Sequence, residues 1–285
     1  MGKKRIDSQA VGLDVGLVFA KWLTGAENLH YGLWDGLEVN AANAGAAQVA
    51  YTDKLFELLP DRPCRILDIG GGAGETARKL CALGHQVEIV IPSEFLAQRC
   101  RENAPEAIVH HMKFEDFQSE AKFDICMFSE SYQYIPLDQG LSKCLKLLAE
   151  DGEIILADCF RPEGFVVDKD KPKVGGGHRI NLFRETLANL PIDVISEEDI
   201  TQSAAPSVEI EQGFFNLIGH GLSRVDEELQ AKKPGLRWVF HRVIAMLMNE
   251  RKRRRLGQRL MESERNREMF STYNIYLMMK LRPKG

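Results

Sequence analysis

The sequence has no apolar run near the roughly 20 residues that a bilayer-spanning helix needs. Its basic start, Lys3-Lys4-Arg5, is soon followed by polar residues, among them Asp7 and Asp14, which interrupt anything like a signal-peptide core. It also lacks internal repeats and low-complexity linkers. With 285 residues, 44% of them hydrophobic and 27% charged, the composition is that of a soluble globular protein and excludes a disordered, collagen-like or coiled-coil chain.

Paired cysteine motifs are absent as well. The six cysteines are widely spaced, with no CxxC and no histidine partner, at positions 64, 81, 100, 126, 144 and 159. This pattern predicts neither a zinc site nor a disulfide framework, so we expect no metal. Reduced thiols are typical of the cytoplasm, where we expect the protein to be.

The small net charge of −4 hides an uneven distribution. Residues 231–285 carry +11 and the first 230 residues carry −15. Within 236–260 a strongly apolar stretch is followed by the basic run 251–255, which predicts a lid helix packed on the core with a solvated basic end beside it. The same segment could also close an apolar pocket, contact a second copy of the chain or lie on an anionic membrane. Nucleic acid is disfavoured, because aromatic residues are not interleaved with the charges and the rest of the chain is acidic.

Short apolar runs alternate with helical patterns between residues 64 and 160, which predicts a doubly wound, mostly parallel α/β sheet. Gly84 is placed to end the first helix of this core, and Ser93 to cap the next. The predicted strands are Arg65–Ile69, Val87–Ile91, Ala107–His111, Phe123–Phe128 and Glu153–Ala157, with Ile192–Ile195 and Tyr273–Lys280 later in the chain. The predicted domains are a helical cap (1–60), a ligand-binding core (61–200), a helical lid (201–270) and a last core strand (271–285).

A glycine turn follows the first predicted strand. Asp68 ends that strand, and Gly70, Gly72 and Gly74 lead into a helix. Glycines let the backbone approach a ligand closely, and a helix N-terminus offers free N–H groups. The shifted pattern Gly72-x-Gly74-x-x-Ala77 also fits a dinucleotide fingerprint, so an NAD(P)-dependent oxidoreductase remains an alternative at this point.

The segment Arg65-Ile-Leu-Asp-Ile-Gly-Gly-Gly-Ala-Gly74 resembles the first motif of class I S-adenosylmethionine-dependent methyltransferases. Three further segments are similar to the small-molecule branch that contains tocopherol, sugar, sterol and glycine-betaine-pathway methyltransferases. These segments are His30–Trp34, Ser129–Ser131 and Asp199–Pro206. The resemblance implies a Rossmann-like fold that binds S-adenosylmethionine and releases S-adenosylhomocysteine.

The resemblance also implies which residues bind the cofactor. In most of the family an acid ends the second strand and holds the ribose hydroxyls, but here that position is Ile91, so Ser93 or Glu94 is the expected substitute. Tyr31 and Trp34 are expected over the sulfonium, because an aromatic face attracts a cation. The remaining expected cofactor contacts are Asp68, Gly70, Gly72, Gly74, Glu115, Asp116 and Ser129.

Three residues are candidates for proton transfer. Glu130 follows the fourth strand, where it would face both methyl donor and acceptor, and burial would raise its pKa. His30 and His178, the latter after three glycines, are further base candidates. The sequence therefore predicts methyl transfer from S-adenosylmethionine to an N, O or C atom of a small, rather apolar metabolite. The alternatives are the oxidoreductase and a non-catalytic cofactor-binding subunit.

Overall fold

A computed structural model describes residues 8–166, 174–261 and 265–284. The basic start of the chain, Lys3-Lys4-Arg5, and Asp7 lie outside the described residues.

A seven-stranded sheet forms the centre of the molecule. Its strands are β1 (Arg65–Ile69), β2 (Gln86–Ile91), β3 (Ile108–His111), β4 (Phe123–Ser129), β5 (Leu148–Phe160), β6 (Ile192–Asp199) and β7 (Ile275–Pro283). Their order is β3-β2-β1-β4-β5-β7-β6. Strands β1 to β5 are parallel, and β7 is antiparallel to both of its neighbours. The predicted fold class is confirmed.

Helices cover both faces of the sheet and continue beyond it. They are α1 (Ser8–Thr24), α2 (Ala44–Phe56), α3 (Glu75–Ala82), α4 (Glu94–Asn103), α5 (Leu137–Leu147), α6 (Ile180–Ala188), α7 (Thr201–Ala204), α8 (Ser207–Lys232), α9 (Pro234–Leu247), α10 (Glu250–Met261) and α11 (Arg267–Tyr273). Short 3-10 turns occur at Ala41–Asn43, Phe114–Asp116 and Tyr132–Tyr134. Two hydrophobic clusters, one on each side of the sheet, form most of the core. Because both faces are covered, the central strands are mostly apolar on both sides rather than alternating.

Every predicted strand is present, and three of them differ from the predicted bounds by more than one residue at an end. In β5 the partner of β4 jumps from Leu148 to Glu153, so the strand bulges just before the predicted strand Glu153–Ala157. Strand β6 continues through Ser196–Asp199, because an edge strand with one neighbour can expose charged residues. Tyr273, which was expected to begin the last strand, is the last residue of α11 instead.

Candidate active site

The glycine turn between β1 and α3 forms the floor of a first cavity of about 520 Å³. Gly70 and Gly72 have φ angles of +81° and +55°, which favour glycine. A Cβ at Gly70 would lie 2.4 Å from the Cβ of Ser131, so β1 and the segment after β4 touch here. Gly74, with φ +88°, is the N-cap of α3. The carboxyl ends of β1, β2 and β4 therefore meet at one ligand-sized space.

Asp68 lies under the turn with an unpartnered oxygen. Its side chain is 1% exposed, and its Oδ2 atom is buried without a hydrogen bond among the described residues. Burial raises its pKa to about 7. Asp68 lines the first cavity, so a cationic group there would supply the missing partner. The residues present thus fit a ligand that carries an ammonium group, as S-adenosylmethionine does.

The far end of the first cavity lies between β2 and the 3-10 turn after β3. Ile91 is buried at the end of β2, and Ser93 beside it accepts a hydrogen bond from the backbone N–H of Leu96 at 3.3 Å. Ser93 thus caps α4, as predicted, and also lines the cavity, where its hydroxyl hydrogen can be donated. Glu115 lines the cavity too, whereas Asp116 is exposed and does not.

Two acids that the sequence analysis did not single out also line the first cavity. The buried Glu27 enters it from the segment before α2, and Glu75 from the start of α3. Burial favours the neutral form of Glu27, but hydrogen bonds from Arg99 and Asn103 outweigh this and lower its pKa to about 2. The backbone N–H of Glu27 donates to Glu75 Oε1 at 3.3 Å. Nothing in the local sequence pattern marks Glu27, because its partners come from a distant helix.

Glu130 lies where the first cavity meets a second one. The second cavity, of about 890 Å³, shares Glu130 and His30 with the first. Oε1 of Glu130 accepts hydrogen bonds from the backbone N–H of Tyr31 at 2.7 Å and the hydroxyl of Tyr276 at 2.8 Å. Burial nevertheless raises its pKa to about 7. Among the described residues it is the one non-glycine with φ in the left-handed region, at +56°, which directs the carboxylate between the cavities.

A row of hydroxyl groups leads away from Glu130. The hydroxyls of Tyr276 and Tyr51 lie 3.0 Å apart, and that of Tyr51 lies 3.0 Å from Oγ of Ser129. Burial raises the pKa of both tyrosines well above its usual range, so both remain protonated. Sequence analysis missed Tyr51 and Tyr276. Each is a single tyrosine in an element that otherwise resembles core, and only the fold brings them together.

His30 is held in one neutral tautomer. Its Nδ1 lies 2.7 Å from the carbonyl oxygen of Tyr31, so Nδ1 carries the hydrogen and Nε2 carries the lone pair. Nε2 is buried without a partner among the described residues, and the ring stacks on Tyr51 at 4.4 Å. Burial lowers the pKa of His30 to about 4. The imidazole is therefore neutral at physiological pH and a weak base.

The other predicted site residues are divided between the cavities. Ser129 and Ser131 line the first, while Tyr31 and Trp34 line the second, where Trp34 Nε1 donates to Ser207 Oγ at 2.9 Å. His178 lines neither: its Nε2 faces the carbonyl oxygens of Tyr132 and Ile135, at 3.2 and 2.9 Å. This geometry gives His178 a structural role at the end of its loop.

The second cavity has mainly apolar walls. Helices α1 and α8 supply Phe19, Phe214, Phe215 and Ile218, with the rings of Phe19 and Phe214 stacked at 3.9 Å. The polar part of the lining includes the ion pair of Glu211 and Arg265, at 2.7 Å, and Gln133, whose backbone and side-chain N–H groups donate hydrogen bonds to Asp158. An apolar molecule with one polar end is the ligand that such walls favour.

The part of the chain that the structure describes holds no cluster of three or more histidine, cysteine or acidic side chains suited to a metal ion. Across the same residues, no helix combines the length and the apolar character that a membrane crossing requires.

Comparisons with known proteins complete the description of the site. Residues 66–152 match the family described as "Methyltransferase domain". No curated protein matches the sequence.

Many solved structures share the fold along nearly the whole chain. Geranyl diphosphate C-methyltransferase from Streptomyces coelicolor A3(2), in complex with S-adenosyl-L-homocysteine, is 12% identical with a TM-score of 0.65, over 99% of this chain and 100% of that one. The cyclopropane synthase MmaA2 from Mycobacterium tuberculosis is 16% identical with a TM-score of 0.61, over 99% and 100%. The 4+2 cyclase SpnF is 16% identical with a TM-score of 0.64, over 97% and 95%.

These identities are too low to carry a substrate across, and the cyclase shows that the fold alone does not decide the reaction. The domain match, by contrast, is made on the sequence of this chain. It covers the strands and turns that line the first cavity. The domain match and the shared fold both agree with the class I S-adenosylmethionine-dependent methyltransferase that the sequence predicted.

Proposed function

We propose that the chain transfers the methyl group of S-adenosylmethionine, bound in the first cavity, to a small and largely apolar metabolite bound in the second. The observation that carries this proposal is the position of Glu130, which lines both cavities. The apolar walls of the second cavity support an apolar acceptor. No observation favours an oxidoreductase: the end of β2 carries Ile91 where a dinucleotide site needs an acid, and the domain match is to a methyltransferase.

The proposed cofactor contacts follow from the first cavity. Asp68 would face a cationic group of the cofactor, and Gly70 and Gly72 would let the backbone approach it. Glu115 would accept a hydrogen bond at the far end, and Ser93 would donate one. When bound, S-adenosylmethionine supplies an activated methyl group, so the chain itself mainly has to align the acceptor and exclude water.

Glu130 is the proposed base for acceptors that must lose a proton. Its Oε1 is fixed by Tyr31 and Tyr276, and Oε2 has no hydrogen bond among the described residues. With a pKa of about 7, a carboxylate in this position is a stronger base than an ordinary glutamate and is about half ionised at neutral pH. We expect the rate of methyl transfer to rise with pH through about 7 for such acceptors.

The helices around the second cavity are proposed to act as the acceptor cap. α1 and α8 cover it, and α11 packs beside them. A cytoplasmic location remains a prediction, supported by the six cysteines, none of which forms a disulfide.

Calorimetric titration with S-adenosylmethionine, S-adenosylhomocysteine and NADH in parallel tests the cofactor. We expect micromolar binding of the two adenosyl ligands and none of NADH. Asp68→Asn should weaken binding of S-adenosylmethionine at least about 10-fold, a typical loss for one charged hydrogen bond. Glu94→Gln removes an exposed carboxyl outside both cavities and should leave binding unchanged. Binding of NADH alone would overturn the proposal.

Transfer of a labelled methyl group to a panel of small apolar alcohols, amines and activated carbon acids tests the reaction. For an acceptor that must lose a proton, Glu130→Gln should lower kcat about 100-fold or more and remove the rise with pH, while S-adenosylhomocysteine still binds. An unchanged pH profile in this variant would exclude Glu130 as the base.

A further inference from the structure

Helix α9 directs its apolar side into solvent. Apart from Trp238, its exposed apolar residues fall on one arc of the helix, and their exposures run from 47% to 85%. They are Leu236, Val239, Phe240, Val243, Met246 and Leu247. Among the described residues, no side chain of α9 is buried. A surface helix normally buries this face, so the orientation of α9 is the reverse of the usual one.

The polar side of α9 faces the rest of the protein and fixes this orientation. Arg237 donates two hydrogen bonds to Asp226 of α8, at 2.9 and 2.8 Å. His241, one turn further along, lies 2.8 Å from the same carboxylate. Turning the helix to bury its apolar face would break these contacts, so the outward face is a feature of the fold.

The same surface is strongly cationic. Between Lys233 and Arg259 the sequence has nine Lys or Arg residues and one acid, Glu250. The basic run 251–255 begins four residues after Leu247, and all five of its residues are exposed. Asn249 caps this turn of α10, with its side chain accepting from the backbone N–H of Lys252 at 2.9 Å. The apolar face and the basic run are thus held close together.

This charge decides between the candidate partners. A second copy docked face to face would bring two cationic surfaces together, which is unfavourable. Nucleic acid would match the charge but would leave the wide apolar face in water. An anionic bilayer satisfies both parts, because apolar side chains enter the boundary between headgroups and acyl chains while Lys and Arg contact the headgroups.

We propose that the apolar face of α9 and the basic run 251–255 of α10 form a binding surface for anionic lipid bilayers. The protein binds there reversibly, with α9 lying in the plane of the interface. This surface is separate from both cavities, so the proposal does not depend on the proposed function.

Co-sedimentation of the full chain with vesicles of phosphatidylcholine, with and without phosphatidylserine, tests the proposal. We expect binding to the mixed vesicles, weak or no binding to phosphatidylcholine alone, and a loss of binding as salt is raised. The double variant M246D/L247D should lower the partition coefficient at least about 10-fold, and R253E/R255E at least about 20-fold, since each basic residue near the surface is worth about 1 kcal/mol.

Matched variants control for general effects of added charge. Leu83→Asp places an acid at another exposed apolar position, 60% exposed after α3, and Arg101→Glu reverses an exposed charge on α4. Both should bind vesicles like the native chain.

Three results would overturn the proposal. The first is failure to bind mixed vesicles, and the second is equal loss in the control variants. The third is a concentration-dependent dimer in analytical ultracentrifugation that M246D/L247D dissociates, which would assign the face to a second copy. Retention by double-stranded DNA without vesicle binding would assign the basic run to nucleic acid.

Discussion

Burial raises the pKa of three carboxyl groups around the cavities. The values are about 7 for Asp68, about 7 for Glu130 and about 8 for Asp158. A buried carboxylate without a full set of partners costs stability once it ionises. When these buried carboxyl groups ionise near neutral pH, they therefore lower the stability of the folded chain. A cationic ligand in the cavity would offset this loss.

The effect of a buried carboxyl group on the stability of the folded chain can be tested at Asp68 alone. Its pKa is higher in the folded chain, about 7, than its ordinary value of 3.8, so the folded state binds the extra proton between these values. Its contribution to stability is therefore fully present below about pH 4 and is lost as the pH rises through about 7. Without ligand, Asp68→Asn should be more stable than the native chain at pH 8, by up to about 4 kcal/mol.

Thermal unfolding at pH 5 and pH 8 measures this difference, which should widen with pH. Glu94→Gln, at an exposed position, serves as the control and should show a constant difference. If Asp68→Asn instead destabilises the chain equally at both pH values, the buried charge is not the cause.

Sequence analysis located some site residues better than others. Asp68, the glycines and Glu130 were predictable, because each follows a strand end that local patterns define. Tyr276 was not, since a tyrosine in a buried strand carries no local sign that its hydroxyl will meet a carboxylate 146 residues away. Tyr31 and Trp34, expected over the sulfonium, line the second cavity, and their contact with the cofactor stays a prediction.

At the scale of elements, the contact between α8 and α10 depends on one glycine. A Cβ at Gly219 would lie 2.0 Å from the carbonyl oxygen of Leu260, so the two backbones meet at this point. Nearby, Gln212 Nε2 donates to the carbonyl oxygen of Arg259 at 2.9 Å. The apolar pattern of this region predicted helices, but it could not predict how they pack. An apolar face at helical spacing is expected to be buried, whereas α9 exposes its apolar face.

Gly219→Ala should therefore loosen α10 from α8. We expect a loss of stability of about 1–3 kcal/mol, the usual range for overpacking, together with faster amide hydrogen exchange in α10. Gly221→Ala is the matched control, since nothing lies within 4 Å of its Cβ position, and a helical Gly→Ala exchange should stabilise by up to about 1 kcal/mol. Equal effects of the two substitutions would refute the close contact.

At the scale of the whole molecule, the sheet depends on its last strand, because β7 joins β6 to the other five strands. β7 lies between β5 and β6, and it is the one neighbour of β6 within the described sheet. It also carries Tyr276, which holds Glu130. The parallel part of the sheet was predictable from alternating strands and helices, whereas the insertion of β7 rests on pairings between residues more than 100 positions apart.

A chain truncated after Asn274 should therefore lose cooperative unfolding and the binding of S-adenosylhomocysteine. The control is a chain truncated after Pro283, which keeps all of β7 and loses one backbone hydrogen bond, from Lys284 to Pro191. Circular dichroism during thermal unfolding and calorimetry measure the two properties. Native-like binding by the shorter chain would show that the first cavity forms without β7.

The position of β7 also affects the order of events during synthesis. A ribosome completes β1 to β6 before it makes β7, so for that interval β5 has a free edge and β6 has no partner. Unpaired strand edges on a nascent chain are sites of misassociation. Three acidic residues of β6 are exposed in the finished sheet, namely Glu197, Glu198 and Asp199. Before β7 is made, their negative charge disfavours pairing of β6 with a second copy of the chain.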